Sequence, residues 1–292
     1  MRVFVTGASG WIGSAVVPEL LRAGHRVLGL ARSDKSAAAV ADLGAEVHRG
    51  DLDDLGSLRA GAAASDGVVH LGYNHDFSDI PGAARTDLAA VTAFGEVLAG
   101  TGGPLVVAAG TAGIAPGRVA TEADLPAPGG YARTANSVAT LALAERGVRA
   151  SVVRFAPTVH GAGDHGFVAT LVGIAREKGV SAHVGDGANR WPAVHRADAA
   201  TLVARAVDDA PPGAILHATA EEGVATREIA EAIGRGLGLP VASADPDQFG
   251  WLGMFFGADS PASSTVTRDR FGWSPTGPGL IEDLDAGHYF TR

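Results

Sequence analysis

A glycine-spaced turn after the first apolar run constrains the fold more than any other feature of the chain. The segment from Val3 to Gly13 reads VFVTGASGWIG. Gly7 lets the chain leave a strand in a tight turn, Gly10 leaves room for a pyrophosphate, and Gly13 lets the next helix pack closely on the strand. The positive end of that helix attracts an anion. We therefore predict a strand, a turn and a helix that bind a dinucleotide through Gly7, Gly10, Trp11, Ile12 and Gly13.

Short apolar runs alternate with helical patterns through the first half of the chain. The runs are too uniformly apolar for a sheet with one solvated face, so they predict buried parallel strands. They lie at Val3 to Val5, Val27 to Leu30, Ala45 to Val47, Val68 to Leu71, Leu105 to Ala109 and Ser151 to Phe155. The helical patterns lie at Ile12 to Ala23, Lys35 to Leu43, Leu55 to Ala63, Asp79 to Ala99 and Ala132 to Arg146. This order predicts an α/β fold with a Rossmann-type doubly wound parallel sheet.

The pattern becomes less regular after Phe155, where loops rich in Gly, Pro and His occupy 156–166 and 185–195. We predict a dinucleotide-binding domain over 1–156, to which 193–219 return. Residues 157–192 and 220–292 would form a smaller C-terminal substrate-binding lobe. Ligands of such sheets bind beyond the carboxyl ends of the strands, so the loops there are expected to carry the chemistry.

The charge and residue content exclude several classes of protein. A formal net charge of −9 argues against a surface for nucleic acid, and the chain has no cysteine for disulfides, thiolate catalysis or sulfur-ligated zinc. The start leaves no room for a signal peptide, and the uncharged stretch from Val97 to Gly117 holds six glycines and two prolines. We therefore expect a cytoplasmic protein with a small-molecule substrate and neither nucleic acid nor membrane as a partner.

The end of the second strand predicts which dinucleotide binds. An acid there would accept a hydrogen bond from the ribose 2′-hydroxyl of NAD, whereas a cation accommodates the 2′-phosphate of NADP. The chain places Arg32 and Ser33 at this position, with Lys35 close by. These residues favour NADP over NAD; the alternative is that Arg32 is an ordinary solvated arginine.

Several motifs occur in the order of one known family. They are the glycine turn, Gly50-Asp51-Leu52-Asp53, Val69-His70-Leu71-Gly72, Arg154-Phe155-Ala156-Pro157-Thr158-Val159-His160-Gly161, Val194-His195-Arg196-Ala197-Asp198 and Phe271-Gly272-Trp273-Ser274-Pro275. Over nearly its whole length the chain resembles the extended short-chain dehydrogenases/reductases, the NAD(P)-dependent epimerase/dehydratase group. The resemblance implies that the adenosine half of the cofactor lies against Asp51, Leu52, Leu71 and Gly72. It places the nicotinamide at the backbone of Pro157, Thr158 and Val159.

The catalytic signature departs from that family. Its members pair a Tyr with a Lys four residues later, but Ala135 follows Tyr131 at that spacing and no Lys lies nearby. A second alignment puts Ala132 and Asn136 at the two positions and does not restore the pair. A cation about 4 Å from a phenolate is worth up to ~4 kcal/mol at an effective dielectric constant of 20. Tyr131 should therefore be a poor base near neutral pH, which favours reduction, where a neutral phenol donates its proton.

Other polar residues lie on loops at the predicted ligand edge. The resemblance implies a Ser after the fifth strand, but Ala109 and Gly110 stand there and leave Thr111 as the nearby hydroxyl. Thr111 could polarise a carbonyl; the alternative is a turn threonine bonded to backbone. Reserve proton donors are His75 and His165. Their alternative roles, shared by His160, are loop structure or substrate hydrogen bonding, and no metal site is expected because glycines interrupt the histidines. The expected substrate-binding residues are Asn74, His75, His165, Arg190 and Trp191.

These features predict an NADP-dependent oxidoreductase that reduces a carbonyl of a small or medium organic substrate, with Tyr131 and Thr111 as candidate catalytic residues. One alternative is an epimerase or dehydratase that holds its cofactor tightly. The other is a non-catalytic NADP(H)-binding sensor. The resemblance also implies a homodimer through the helix from Asp79 to Ala99.

Overall fold

The fold is taken from a computed structural model that describes residues 1–75, 79–126 and 132–291. The strands are β1 (Arg2–Thr6), β2 (Arg26–Ala31), β3 (Glu46–Arg49), β4 (Gly67–His70), β5 (Pro104–Gly110), β6 (Arg149–Phe155), β7 (Thr158–His160), β8 (Ser181–Val184), β9 (Arg190–His195), β10 (Ala214–Ala218), β11 (Glu221–Ala225) and β12 (Val241–Ala244). The α-helices are α1 (Gly13–Arg22), α2 (Asp34–Asp42), α3 (Leu55–Ala63), α4 (Ile80–Leu98), α5 (Ala132–Ala142), α6 (Phe167–Lys178), α7 (Arg196–Asp209), α8 (Thr226–Leu237), α9 (Gly253–Phe256), α10 (Thr265–Phe271) and α11 (Leu280–Asp285). Short 3₁₀ helices cover Leu143–Arg146 and Pro246–Leu252.

Seven strands form a central sheet in the order β10-β6-β5-β4-β1-β2-β3, and each neighbouring pair is parallel. One apolar core packs α1 and α7 against one face of this sheet, and a second packs α3 and α4 against the other. The strand order reverses between β1 and β4, so a crevice opens there beyond the carboxyl ends of the strands. The predicted Rossmann-type α/β fold is therefore confirmed.

The sheet edge differs from the sequence prediction. The run from Ala45 to Val47 predicts a buried strand, but β3 is the exposed edge of the sheet. The Glu46 side chain there pairs with Arg2 and Arg26, each at 2.7 Å. The predicted burial of this strand is wrong because, within the described parts of the chain, α2 alone among the helices packs closely on it, whereas α7 and α10 cover the opposite edge strand, β10.

The remaining elements include two small sheets, β11-β9-β7 and β12-β8. A separate apolar core gathers α6, α8 and α11 around Trp191. The Gly, Pro and His content of 185–195 predicts a loop, yet β9 lies within this range. Pairing with β7 on one side and β11 on the other forms that strand despite Pro192. Within the described residues, no helix is long and apolar enough to cross a membrane.

Candidate active site

The glycine turn forms a tight cradle at the carboxyl end of β1. Gly7 has a φ of +67°, and a Cβ atom on Gly13 would lie 2.0 Å from the carbonyl oxygen of Gly7. A Cβ atom on Gly10 would meet nothing closer than that same oxygen at 3.1 Å. Gly7 and Gly13 are thus required by the fold, whereas a side chain on Gly10 would meet the Gly7 oxygen less closely, ahead of the start of α1. This cradle fits the pyrophosphate of a dinucleotide.

Trp11 joins the turn to the segment that follows β6. Its indole nitrogen donates a hydrogen bond to the carbonyl oxygen of Val159 at 2.7 Å. The guanidinium carbon of Arg196 lies 4.2 Å from the centre of the indole ring, and the ring of His165 contacts it edge-on at 5.6 Å. Trp11 therefore fixes the distance between the turn and the loop 161–166.

Cations and hydroxyls converge beyond the carboxyl ends of β2 and β3. Arg32 is exposed, and Ser33 caps α2 through a reciprocal pair of hydrogen bonds with Ser36. Arg49, at the end of β3, donates to the carbonyl oxygen of Ser33 and to the Asp34 carboxylate, both at 2.7 Å. Sequence reasoning missed Arg49, although parallel pairing of β2 and β3 brings their carboxyl ends together. Asp34, the acid near this site, is thus engaged by an arginine.

A buried polar network lies beneath the crevice between β1 and β4. The Thr6 hydroxyl accepts from the Gly72 backbone at 3.0 Å and lies 2.7 Å from Nδ1 of His70. Nε2 of His70 lies 3.3 Å from the Asp87 carboxylate. The side-chain amide of Asn136 donates to the other Asp87 oxygen at 2.6 Å and to the Ala84 carbonyl at 2.9 Å. The position where the second alignment would expect a lysine is therefore held by an amide bonded to α4.

The Asp87 carboxylate stays ionised in this network. Burial alone would raise its pKa, but hydrogen bonds from His70 and Asn136 and the charge of Arg133 outweigh burial and lower it. Thr6 and the His70 ring thus link the Gly72 backbone to the Asp87 carboxylate. A buried negative charge therefore lies below the crevice.

Arg133, on the first turn of α5, lies over the ring of Tyr73 with its guanidinium carbon 3.8 Å from the ring centre. Burial raises the pKa of Tyr73, against the opposing charge of Arg133. Burial also lowers the pKa of His75, with Arg133 and His165 adding to the effect. Tyr73 and His75 are in edge-on contact at 5.3 Å. The loop after β4, α5 and the loop 161–166 thus meet in one crevice.

The candidate catalytic residues have different outcomes. Tyr131 lies outside the described residues. Thr111 is buried, and its hydroxyl donates to the carbonyl oxygen of Phe155 at 3.3 Å, as in the alternative interpretation of a threonine bonded to backbone. The chain contains two lysines, Lys35 and Lys178. Lys35 lies on α2 and Lys178 ends α6, so neither stands in α5 beside Asn136.

The predicted substrate residues fall into two groups. Asn74, His75 and His165 lie on loops beside the crevice. The charge of His165 contributes to lowering the pKa of His75. Trp191 is 1% exposed and donates its indole hydrogen to the Phe255 carbonyl, so it belongs to the apolar core around α6, α8 and α11. Arg190 forms an ion pair with Asp259 at 2.9 Å.

The remaining predicted cofactor residues surround the crevice. Asp51 and Leu52 are half-buried and follow β3, and Leu71 and Gly72 follow β4. A Cβ atom on Gly72 would lie 3.0 Å from the Leu52 side chain, so these two segments are in contact. Pro157 lies between β6 and β7, and Thr158 and Val159 begin β7.

A second buried cluster connects the loop 161–166 to the C-terminal segment. Nδ1 of His160 lies 2.9 Å from the Asp283 carboxylate. The hydroxyl of Tyr289 donates to Asp164 at 3.0 Å and accepts from the Gly161 backbone at 3.2 Å. Burial raises the pKa of Asp164. Among the described residues, no group of three or more His, Asp and Glu side chains is arranged to hold a metal ion.

A model of the NAD dependent epimerase/dehydratase family matches residues 3–224. The chain belongs to this family, and the resemblance noted from its motifs is confirmed. The members of this family are oxidoreductase-type enzymes that use a nicotinamide dinucleotide.

Two uncharacterized proteins and one reductase are similar in sequence to this chain. An uncharacterized protein of Schizosaccharomyces pombe is 46% identical over 99% of this chain and all of its own length. An uncharacterized protein of Saccharomyces cerevisiae is 42% identical over 99% of both chains. The 2-alkyl-3-oxoalkanoate reductase of Stenotrophomonas maltophilia is 30% identical over 73% of this chain and 67% of its own.

Solved structures share the fold at low identity. UDP-glucose 4-epimerase from Thermus thermophilus, in complex with NAD, has a TM-score of 0.75 at 22% identity and covers 99% of this chain and 98% of its own. The Thermotoga maritima UDP-glucose 4-epimerase with UDP-glucose has a TM-score of 0.79 at 17% identity over 99% and 98% of the chains. At these identities the likeness concerns the fold alone.

Proposed function

We propose that the protein is an NADP-dependent reductase that acts on a carbonyl of a small or medium organic substrate. The observation that carries the proposal is the replacement at α5, where Asn136 is bonded to Ala84 and Asp87 and no lysine stands beside it. Without an adjacent ammonium group, a tyrosine near this position remains a neutral phenol at pH 7. A neutral phenol is the form that donates a proton, as reduction of a carbonyl requires.

The preference for NADP rests on the residues beyond β2 and β3. Arg32 and Lys35 are exposed at the start of α2, and Arg49 reaches the same place from β3. The N-terminus of α2 adds its partial positive charge and the Ser33 and Ser36 hydroxyls. A 2′-phosphate would meet several donors here, whereas the one nearby acid, Asp34, is paired with Arg49 at 2.7 Å.

In this proposal the residues of the crevice divide the work. Gly7, Gly10 and Gly13 shape the pyrophosphate cradle, and the backbone of 157–159 lies beside the nicotinamide. The reduced nicotinamide, when bound, supplies a hydride to the substrate carbonyl. Tyr131 donates the proton to the carbonyl oxygen, and His75 and His165 are reserve donors. Thr111 takes part only if its hydroxyl turns away from Phe155.

Similarity to a reductase supports reduction as the direction of the reaction. The Stenotrophomonas maltophilia relative is named for reduction of a 2-alkyl-3-oxoalkanoate and aligns over most of the present chain. We therefore prefer reduction to epimerisation, which begins with an oxidation and so needs a phenolate base.

Purified protein mixed with NADPH and a panel of ketones, aldehydes and imines should consume NADPH, followed by absorbance at 340 nm. Tight binding of NADPH without consumption across the panel would reject the reductase in favour of a sensor.

Arg32→Ala should weaken NADPH binding about 10-fold or more and leave NADH binding almost unchanged, because the 2′-phosphate loses a charged partner. The matched control is Arg26→Ala, at the opposite end of β2 and paired with Glu46. Equal weakening of both dinucleotides by Arg32→Ala would remove the preference for NADP.

A further inference from the structure

The Arg133 guanidinium lies in the crevice without a matching anion. Among the described residues no carboxylate lies within ion-pair distance of it, and its Nε atom is buried without a hydrogen-bond partner. The contact that holds it is the ring of Tyr73, with 3.8 Å between guanidinium carbon and ring centre. Arg133 is half-buried, and a guanidinium partly withdrawn from water is costly unless an anion or several acceptors satisfy it. Burial accordingly lowers the pKa of Arg133.

The nearest buried carboxylate does not fill this role. Asp87 is engaged by His70 on one oxygen, at 3.3 Å, and by Asn136 on the other, at 2.6 Å. Asp87 therefore influences Arg133 through its charge, without a direct ion pair. His75, beside Tyr73, has a lowered pKa and carries no negative charge in either protonation state.

The contact with Tyr73 also bears on how the guanidinium can be used. Its carbon lies 3.8 Å from the ring centre, and a guanidinium is planar with its N–H donors arranged around its edge. This fork matches the two oxygens of a carboxylate, which it binds through two parallel hydrogen bonds. A lysine at the same place would supply a point charge without that geometry.

The position of Arg133 places such a carboxylate beside the reaction. Tyr73 follows Gly72, whose backbone donates to Thr6 at the start of the glycine turn. His75 lies near His165, which contacts Trp11 of the same turn. Arg133 thus stands on the β4 side of the strand-order reversal, within the crevice that the turn borders.

We infer that Arg133 anchors the substrate through a carboxylate, so that the preferred substrates are oxo acids and neutral ketones are poor ones. This inference rests on the proposed reductase function. It assigns Arg133 to substrate binding and leaves proton donation to other groups.

The decisive experiment compares 2-, 3- and 4-oxo acids with their methyl esters as substrates of the NADPH-loaded protein. The wild type should prefer at least one acid to its ester. Arg133→Ala should lower kcat/KM for that acid roughly 100-fold or more, mainly through KM, and change kcat/KM for the ester little. Arg133→Lys should restore part of the loss.

The matched control is Arg59→Ala, which removes an exposed arginine of α3 that pairs with Glu96 of α4. Esters reduced as well as acids by the wild type would overturn the inference while leaving the reductase in place.

A binding measurement keeps the inference testable if no compound is turned over. Benzoate and benzamide share a flat ring, and benzoate alone carries the charge. Calorimetry should show benzoate binding to the NADP⁺-loaded wild type at least about 10-fold more tightly than benzamide, with this difference lost in Arg133→Ala. Retained NADPH binding by the variant would show that it is folded. Absence of benzoate binding to the wild type, or equal binding to the folded variant, would overturn the inference.

Discussion

The phenol of Tyr131 is the candidate proton donor, and the chain offers a sharp control for it because it has three tyrosines. Tyr131→Phe should lower turnover of a carbonyl substrate by roughly two orders of magnitude, since general acid catalysis contributes 10²–10⁴-fold. Tyr73→Phe removes a hydroxyl from the crevice but keeps the ring under Arg133. It should therefore retain most activity. NADPH consumption measures both variants, and unchanged turnover in Tyr131→Phe would remove this residue from the role of acid.

At the scale of the strand–turn–helix element, substitutions at two glycines should distinguish an effect on folding from an effect on cofactor binding. A methyl group on Gly13 would overlap the Gly7 carbonyl oxygen at 2.0 Å, so Gly13→Ala should cost at least ~1–3 kcal/mol of unfolding free energy, as overpacked sites do. A methyl group on Gly10 meets that oxygen at 3.1 Å. Gly10→Ala should therefore cost less stability than Gly13→Ala yet weaken NADPH binding, because the methyl group enters the cradle. Urea unfolding and fluorescence titration measure the two effects; a Gly13→Ala variant as stable as Gly10→Ala would contradict the packing.

A buried cluster where β6, β10 and α10 meet predicts acid sensitivity. Nδ1 of His217 lies 2.8 Å from the Ser263 carbonyl and Nε2 lies 3.3 Å from Arg154, so the ring is neutral and accepts from the guanidinium. Burial, joined by the charge of Arg154, lowers the His217 pKa to about 4, although Glu122 and the Ser263 hydrogen bond oppose the shift. The unfolded chain therefore takes up this proton first, near the ordinary histidine pKa of about 6.5.

The His217 contribution to stability is complete above pH ~6.5 and lost as the pH falls towards ~4, by up to ~3 kcal/mol. Urea unfolding at pH 7 and pH 4.5 should show that His217→Asn loses less stability than the wild type over this interval. His165→Asn, which removes an exposed histidine, should follow the wild type. A His217→Asn variant with the wild-type slope would show that this ring does not govern the acid response.

Elements and their order follow from local pattern, but the site depends on contacts between distant segments. Glycine spacing and apolar runs were enough to predict the Rossmann-type sheet. The exposure of β3 was missed because burial depends on which helices cover a strand, and the residues of the strand do not encode this. Arg49 and Asp87 were missed for a related reason: each acts through partners 15 or more residues away, Asp34 and Asn136. An aromatic side chain such as Trp191 can contact a ligand or fill a core. Its packing against Phe256 shows that it belongs to the core.

At the scale of the whole molecule, the C-terminal segment is connected to the loop that borders the glycine turn. Tyr289 donates to Asp164 and accepts from Gly161, while His165 of that loop contacts Trp11 in the glycine turn. Ordering the turn by a dinucleotide should therefore also order the segment 280–290. Tyr289→Phe removes both hydrogen bonds from buried partners and should cost ~1–3 kcal/mol of unfolding free energy.

Hydrogen–deuterium exchange with and without NADPH measures this coupling. In the wild type, NADPH should slow amide exchange in 280–290 as well as in the turn, and at 100 times the Kd it should stabilise the fold by ~2.7 kcal/mol. In Tyr289→Phe, protection of the turn should persist while protection of 280–290 falls, because the connection through Asp164 is broken. Thr291→Ala, which removes a hydroxyl bonded to His288 in the same segment, is the control and should keep both effects. Equal cofactor-dependent protection of 280–290 in wild type and Tyr289→Phe would show that the hydroxyl stabilises the lobe without carrying the coupling.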